Sequence, residues 1–398
     1  MDHNSTSNKL LPVHKRFDLI FKKGKGVYLY TKNSKYLDFG AGIAVNALGH
    51  CNPKMVKAIT RQAKKLWHVS NIYNTSELNN YADKLVKHSE FADFVFFCNS
   101  GAESIECAIK MIRRHFFIKG QPHKNRIITF KGAFHGRTIA TISAASKPKY
   151  LEGFEPKLDG FDNVEFGNID EVKKAINENT AGILIEPIQG EEGIRVSSKE
   201  FIKSLRKLCD EKELLLAFDE VQCGMGRTGK LFAHEFYETK PDIVSTAKAI
   251  AGGFPLGACL ATKNASDGMT FGVHGTTYGG NPLAMAVADS VLEVMLKKNF
   301  LRNVCETGLF LKNTLIEIKN NFPNIIDEVR GEGLMLGIKI NEKIENNQIV
   351  KKFIEHKFLT IPAGENVIRI LPPLIIKKKH VKEARRKITS ALNELNLN

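Results

Sequence analysis

Short runs of apolar residues recur along the middle of the chain, and each run stops at small or polar residues. They occupy positions 94–97, 127–130, 182–185 and 214–218. Between them lie amphipathic stretches of helix length, for example residues 200–209. Unbroken apolar runs of four or five residues are typical of strands that are buried on both faces of a sheet. The pattern therefore predicts an α/β domain built on a mostly parallel sheet.

The two ends of the chain follow a different pattern. Residues 24–40 alternate around the turn-forming residues 32–34, which predicts a hairpin. After about residue 295, long amphipathic helices precede a glycine-rich segment at 331–337 and a last apolar run at 367–371. We expect one large domain over residues 46–295. Residues 1–45 and 296–398 are expected to form a smaller α+β domain together.

The ends of the apolar runs carry the candidate chemistry, because parallel sheets bind their ligands at the carboxyl ends of the strands. Ser100-Gly101-Ala102-Glu103 follows the first run and begins a helix. Ser100 with Glu103 three residues later is a capping box, and the free amides of such a helix start favour a phosphate. A plain helix cap is the alternative, and it is the commoner use of this motif.

Asp219 and Lys248 are charged residues in apolar surroundings. Asp219 directly follows the run 214–218, where a carboxylate is costly unless it meets a cation or hydrogen-bond donors. It is either a fixed anion for a protonated heterocycle or a cap for a turn. Lys248 lies among small and apolar residues, and burial favours the neutral amine that a nucleophilic lysine needs. The alternative for Lys248 is a side chain that extends to the surface.

A phosphate site, a buried anion and a buried lysine together fit one cofactor, pyridoxal phosphate, with its phosphate, ring nitrogen and aldehyde. A glycine-rich motif at 224–230 competes as a nucleotide site. Leu231 stands where a phosphate loop has Ser or Thr, and the motif does not follow its strand directly. Nucleotide binding is therefore disfavoured. The histidines lack a metal-binding spacing, so no metal site is expected.

Composition narrows the class of protein further. Of the 398 residues, 43% are hydrophobic and 25% are charged, which is ordinary for a globular protein. The net charge of +15 raises the question of nucleic acid, but the basic residues are scattered and lack interleaved aromatic residues. The seven cysteines are irregularly spaced, which argues against a disulfide framework. Residues 1–10 are polar, which argues against a signal peptide. The most apolar window, 243–261, contains Lys248, so we expect a cytoplasmic protein without a membrane span.

Six motifs of the chain together resemble the class III aminotransferases. They are DFGAGIAVNALGH (38–50), CNSGAE (98–103), FHGRT (134–138), EPIQGE (186–191), FDEVQ (218–222) and HGTTYGGNP (274–282). The resemblance extends from about residue 24 to about residue 375, with the motifs in the family's order.

The resemblance implies a fold type I homodimer that binds pyridoxal phosphate, with the active site at the subunit interface. It assigns Lys248 as the lysine that bonds to the cofactor and Asp219 as the partner of the ring nitrogen. The other cofactor-binding residues that it implies are Ser100, Gly101, Ala102, Phe134, Glu220, Val221, Gln222 and, toward the neighbouring subunit's phosphate, Thr277. The substrate-binding residues that it implies are Arg137 for the α-carboxylate, Thr276 for the acylated substrate, and a Glu186–Arg369 pair that opens for glutamate.

Within the family, the enzymes that act on acetylornithine match best. The ornithine enzymes carry a tyrosine where this chain has Ile43. The resemblance thus implies amino transfer from N-acetylornithine to 2-oxoglutarate in arginine biosynthesis. N-succinyl-diaminopimelate of lysine biosynthesis shares the charged end and the acylated far end and stays open, as do ornithine and 4-aminobutyrate. Outside the enzymes, the alternative is a basic nucleic-acid-binding protein.

Overall fold

The computed structural model describes residues 9–395. Its strands are β1 Lys23–Lys25, β2 Tyr28–Tyr30, β3 Lys35–Asp38, β4 Phe94–Cys98, β5 Arg126–Phe130, β6 Phe161–Val164, β7 Thr180–Ile185, β8 Ile188–Gln189, β9 Arg195–Val196, β10 Leu215–Asp219, β11 Ile243–Thr246, β12 Gly257–Ala261, β13 Ile326–Glu332, β14 Met335–Ile340, β15 Phe358–Leu359, β16 Ile361–Pro362 and β17 Val367–Ile370.

The helices are α1 Ala41–Ala44, α2 Pro53–Ala63, α3 Ser76–Ser89, α4 Gly101–Ile118, α5 Ile139–Ala145, α6 Pro148–Leu151, α7 Ile169–Ala175, α8 Lys199–Lys212, α9 Ala233–Tyr237, α10 Lys263–Ser266, α11 Pro282–Met295, α12 Phe300–Asn321, α13 Asn346–Glu355 and α14 Lys378–Asn393. A 3₁₀ helix covers Lys248–Ala251. Within residues 9–395, each helix is too short or too polar to bridge a lipid bilayer.

A seven-stranded sheet in the middle of the chain positions the site. Its strand order is β4-β12-β11-β10-β7-β5-β6. All neighbours from β11 to β6 are parallel, whereas β12 is antiparallel to both strands beside it. The predicted mostly parallel sheet is confirmed. The apolar window 243–261 forms β11, the 3₁₀ helix and β12, because Gly252 and Gly253 turn the chain back at positive φ.

Both faces of this sheet are buried, as the unbroken apolar runs predict. Along β10, Leu216 and Phe218 face one side, and Leu215 and Ala217 face the other. Helix α8 packs its apolar stripe against the side of Phe218, and α4 packs against the side of Leu215. The alternation gives two apolar clusters with the sheet between them.

The two chain ends meet outside this sheet. The predicted hairpin forms from β2 and β3, and β3 pairs in parallel with β15 from the other end of the chain. The amide of Leu371 donates to the carbonyl of Phe39 at 2.6 Å, and the amide of Leu374 donates to the carbonyl of Ala47 at 2.7 Å. A separate antiparallel sheet has the order β13-β14-β17-β16. The domain boundaries at residues 45 and 295 stay a prediction.

Candidate active site

A cavity of about 380 Å³ lies where β4, β5, β7, β10 and β11 reach their carboxyl ends. This is the place that the sheet type predicts for a ligand. The residues predicted for the site that line this cavity are Ser100, Gly101, Ala102, Phe134, Glu186, Asp219, Val221, Gln222 and Lys248.

The start of α4 forms one end of the cavity. Ser100 Oγ accepts a hydrogen bond from the Glu103 amide at 3.3 Å, and the Glu103 carboxylate accepts one from the Ser100 hydroxyl at 3.0 Å. Within residues 9–395, the amides of Gly101 and Ala102 donate to no acceptor. A Cβ on Gly257 of β12 would lie 2.2 Å from the Ser100 carbonyl oxygen, so only glycine fits there. The helix start therefore presents two free N–H donors and its positive dipole end to an anion.

Asp219 lies at the floor of the cavity with a histidine behind it. Its Oδ1 accepts from the Val221 amide at 3.0 Å, and its Oδ2 accepts from Nδ1 of His135 at 2.8 Å. Burial disfavours a charged imidazole, but the hydrogen bond and the charge of Asp219 raise the pKa of His135. Sequence reasoning missed His135, although it directly follows Phe134 in the motif 134–138.

Glu186 is held by backbone amides rather than by a cation. Its Oε1 accepts from the Phe134 amide at 2.7 Å, and its Oε2 accepts from the Gly190 amide at 3.3 Å. Burial and the nearby charge of Asp219 raise the pKa of Glu186 to about 7. Glu186 therefore connects the segment of Phe134 to the turn that follows β8.

Arg369 pairs with Glu191 and not, as predicted, with Glu186. The Nη1 and Nη2 atoms of Arg369 donate to Oε1 and Oε2 of Glu191 at 2.5 and 3.3 Å. The side chain of Arg369 is only 2% exposed. Burial disfavours a charged Glu191, but the charge of Arg369 lowers its pKa. The physical reason is position: Glu186 follows β7 and faces inward, whereas Glu191 follows β8 and reaches β17.

Lys248 follows β11 and is the first residue of the 3₁₀ helix. Its φ of +47° is a left-handed conformation that costs a non-glycine residue energy. A hydrogen bond from the Ile250 amide to the Ala247 carbonyl, at 3.0 Å, closes this turn. Burial lowers the pKa of Lys248, although the charges of Glu191 and Asp219 oppose the shift. The turn therefore presents an amine with increased nucleophilic character to the cavity.

Besides Arg369 and Glu220, three predicted substrate or cofactor residues lie outside the cavity lining. Arg137 is exposed, and its guanidinium stacks over the Tyr150 ring at 3.9 Å and lies 5.6 Å from the Phe134 ring. Thr276 and Thr277 belong to a surface loop, in which Thr276 Oγ1 accepts from an amide three residues later, and Thr277 is exposed. Arg137 thus adjoins the cavity through Phe134, whereas neither threonine is among the residues that line it.

Glu220 turns away from the cavity, unlike the side chains of its neighbours in the motif 218–222. Its carboxylate accepts from the amides of Ala233 and His234 at the start of α9, at 2.5 and 2.8 Å. Burial raises the pKa of Glu220 to about 8. The side chain therefore holds α9 in place behind the site and does not face the cofactor position.

Comparison with known proteins decides the family. A family model described as class III aminotransferase matches residues 11–392. The chain belongs to the class III aminotransferases. This aminotransferase is 54% identical to the acetylornithine aminotransferase of Agrobacterium fabrum over 381 residues, which cover 96% of this chain and 95% of that protein.

Solved structures agree on the fold of this aminotransferase. The N-acetylornithine aminotransferase of Stenotrophomonas maltophilia matches with a TM-score of 0.84 at 36% identity, over 96% of this chain and 97% of that one. The ornithine aminotransferase of Toxoplasma gondii matches with a TM-score of 0.93 at 29% identity, over 97% and 93%. The chain has the fold type I architecture of pyridoxal-phosphate aminotransferases.

Class III aminotransferases use pyridoxal 5'-phosphate, and the cavity fits this cofactor. The free amides of Gly101 and Ala102 suit its phosphate, and the carboxylate of Asp219 suits its ring nitrogen. The Oε1 atom of Gln222 is buried without a hydrogen-bond partner among the described residues. Because buried polar atoms are normally paired, a donor from a ligand suits this atom, and the ring hydroxyl is such a donor. Lys248 lines the same cavity and suits the aldehyde.

Proposed function

We propose that this aminotransferase transfers the δ-amino group of N-acetylornithine to 2-oxoglutarate, giving N-acetylglutamate semialdehyde and glutamate. This is a reaction of arginine biosynthesis. The name of the A. fabrum relative and its 54% identity support the substrate. The observation that carries the proposal is the ion pair between the buried Arg369 and the half-buried Glu191, whose charges act on Lys248. It allows one site to accept two dissimilar substrates.

The ion pair supports both half-reactions in different states. An acylated amine has no second carboxylate, so Arg369 stays neutralised by Glu191 while that substrate is bound. Glutamate and 2-oxoglutarate have a second carboxylate. This carboxylate accepts hydrogen bonds from the two donors of Arg369 when Glu191 moves aside. An arginine without either anion would be an uncompensated charge in a poorly solvated place. We therefore assign to Glu191 the role that the sequence prediction gave to Glu186.

Arg137 is proposed to hold the α-carboxylate that both substrates share. Its guanidinium is a planar fork with donors for a bidentate carboxylate. The stacking on Tyr150, at 3.9 Å, fixes the plane of this fork beside Phe134. Arg137 is exposed in the single chain and is therefore accessible to a substrate that enters the cavity.

The catalytic steps are proposed for three side chains. Lys248 Nζ removes the proton from the substrate carbon that bears the amino group and later returns a proton, as a general base and acid. Asp219, supported by His135, holds a proton on the ring nitrogen of the cofactor. When bound, pyridoxal phosphate supplies an electron sink for the electron pair that the substrate carbon retains when its proton leaves. Phe134, which lines the same cavity, would pack against the ring.

A homodimer is part of the proposal, because two predicted site residues lie on the surface. Thr276 and Thr277 are held on an exposed loop by the hydrogen bond from Asn71 to the Thr276 carbonyl, at 2.8 Å. Large apolar side chains are exposed nearby in sequence, including Tyr278 at 61% and Phe271. Apolar side chains that lie together on a surface mark protein–protein contacts, and we propose that these two belong to one. In the dimer, Thr277 would contact the phosphate of the neighbouring subunit.

All seven cysteines are free, which suits a reducing cytoplasm.

The decisive experiment is a panel of amino donors with 2-oxoglutarate as the acceptor. It includes N-acetylornithine, N-succinyl-diaminopimelate, ornithine and 4-aminobutyrate, and kcat/KM is measured for each. We expect the highest value for N-acetylornithine. A comparable value for the succinylated donor would extend the function to lysine biosynthesis. A higher value for ornithine or 4-aminobutyrate would overturn the proposal.

A further inference from the structure

Arg227 is a fully buried arginine without a carboxylate partner. It belongs to the glycine-rich motif 224–230, for which the proposed reaction has no role. Its side chain is 0% exposed, and no ion pair of the described residues includes it. Burial lowers the pKa of Arg227 to about 9. A buried cation without an anion is costly, so its contacts must explain its place in the fold.

The guanidinium of Arg227 donates to three backbone carbonyls from three separate segments. Its Nη1 donates to the carbonyl of Leu334 at 3.1 Å and to that of Pro372 at 2.5 Å, and its Nη2 donates to that of Ala44 at 3.3 Å. The carbonyl of Arg227 in turn accepts from the Leu334 amide at 3.0 Å. One side chain thus ties segments from both chain ends to the loop that follows Asp219.

Each of these segments leads to the active site. Ala44 directly precedes Val45, which lines the cavity. Pro372 lies three residues after Arg369, just beyond β17. Leu334 leads into β14, where Gly337 pairs with Arg369 in the strand register. The contacts of the Arg227 guanidinium therefore fix Arg369 relative to the loop behind Asp219.

We infer that Arg227 is a positioning residue for the dicarboxylate substrate, an inference that rests on the proposed function. Its flat fork serves three carbonyls at once, whereas a lysine presents its donors around a single nitrogen and reaches fewer of them. Without Arg227, the strand of Arg369 shifts and the binding of 2-oxoglutarate weakens. The acylated amine depends on this position less, because Arg369 stays paired with Glu191 while it is bound.

The test compares Arg227→Met and Arg227→Lys with the wild type in the two half-reactions, each measured as a single turnover. In Arg227→Met we expect the apparent Kd for 2-oxoglutarate to rise about tenfold or more, and that for N-acetylornithine less than about threefold, since small displacements of a positioning group have large effects. Arg227→Lys should lie between the wild type and Arg227→Met. The control is Arg206→Met, because Arg206 pairs with Asp210 and Asp242, and within residues 9–395 its side-chain hydrogen bonds and ion pairs reach no segment from the chain ends.

Hydrogen exchange of the same holoenzymes distinguishes positioning from general loss of stability. The amides of residues 44–47, of Leu371 and of Leu374 should exchange faster in the Arg227 variants, whereas those of β10 should not. Equal weakening of both substrates, or an unchanged Kd for 2-oxoglutarate, would overturn the inference. If Arg227→Met does not fold, Arg227→Lys carries the same comparison.

Failure of the proposed function is recognised separately, because the wild type would then not convert N-acetylornithine. In that case titration calorimetry with glutarate, an unreactive dicarboxylate, still tests Arg227. Weaker glutarate binding in the variants supports the inference, and equal binding refutes it.

Discussion

Replacing Arg369 by alanine should separate the two substrates of the proposed reaction. The change removes the two donors that now face Glu191 at 2.5 and 3.3 Å, which are the donors proposed for the second carboxylate. A hydrogen bond to a charged group is worth about 1.5–3 kcal/mol, so the fork supplies about 3–6 kcal/mol before costs. Separating Arg369 from Glu191 offsets part of this. We expect a net loss of about 3 kcal/mol, which is about a hundredfold weaker reaction with 2-oxoglutarate.

Single-turnover kinetics of the two half-reactions measure this effect, with the change in cofactor absorbance as the signal. The reaction with N-acetylornithine should lose much less than the reaction with 2-oxoglutarate. Glu191→Gln is the matched variant, since it leaves Arg369 in place but removes its anion. It should favour 2-oxoglutarate over N-acetylornithine relative to the wild type. Equal losses in both half-reactions for Arg369→Ala would refute the assignment of this arginine.

Three further changes test the remaining roles. Lys248→Ala should abolish the visible absorbance of the bound cofactor, and mass mapping after borohydride reduction of the wild type should label Lys248; a label on another lysine would contradict this. Asp219→Asn should retain part of the cofactor but lose most of kcat, because a neutral partner no longer favours the ring proton, and a kcat close to wild type would exclude the role. Glu186 has its pKa raised to about 7 from 4.5, so the native state binds this proton more tightly than the unfolded chain does. The Tm of the wild type should therefore fall relative to that of Glu186→Gln as the pH rises from 4.5 to 7, and a constant difference would argue against the raised pKa.

The sheet could be predicted from sequence because its strands are buried on both faces. The apolar runs before Ser100 and up to Asp219 end within one residue of β4 and β10. The direction of β12 could not be predicted in this way, since a buried strand has the same apolar pattern in either direction. The chain is reversed by Gly252 and Gly253, but a glycine in the sequence does not indicate whether the next strand is parallel or antiparallel.

Site residues that directly follow strands could be predicted from the sequence. Which of two similar side chains makes a given contact could not, because it depends on distances in the folded chain. Glu186 and Glu191 are both carboxylates in one motif, and only the distance to Arg369 in the fold selects Glu191. Glu220 directly follows Asp219 in sequence, yet neighbouring residues at a strand end point in opposite directions, and Glu220 caps α9 instead. His135 gave no signal of its own, because its role depends on its contact with Asp219.

The contact between Gly257 and Ser100 bears on how this enzyme can be redesigned. Position 257 is the first residue of β12, the strand that runs back beside β11 after Lys248, and any side chain there would meet a backbone oxygen at 2.2 Å. A backbone atom of a helix start cannot move aside as a flexible side chain does. A library that seeks activity on bulkier amines should therefore keep residue 257 constant and vary the positions around the substrate end of the cavity. Mutations at 257 would be removed by selection for cofactor retention, whatever substrate was offered.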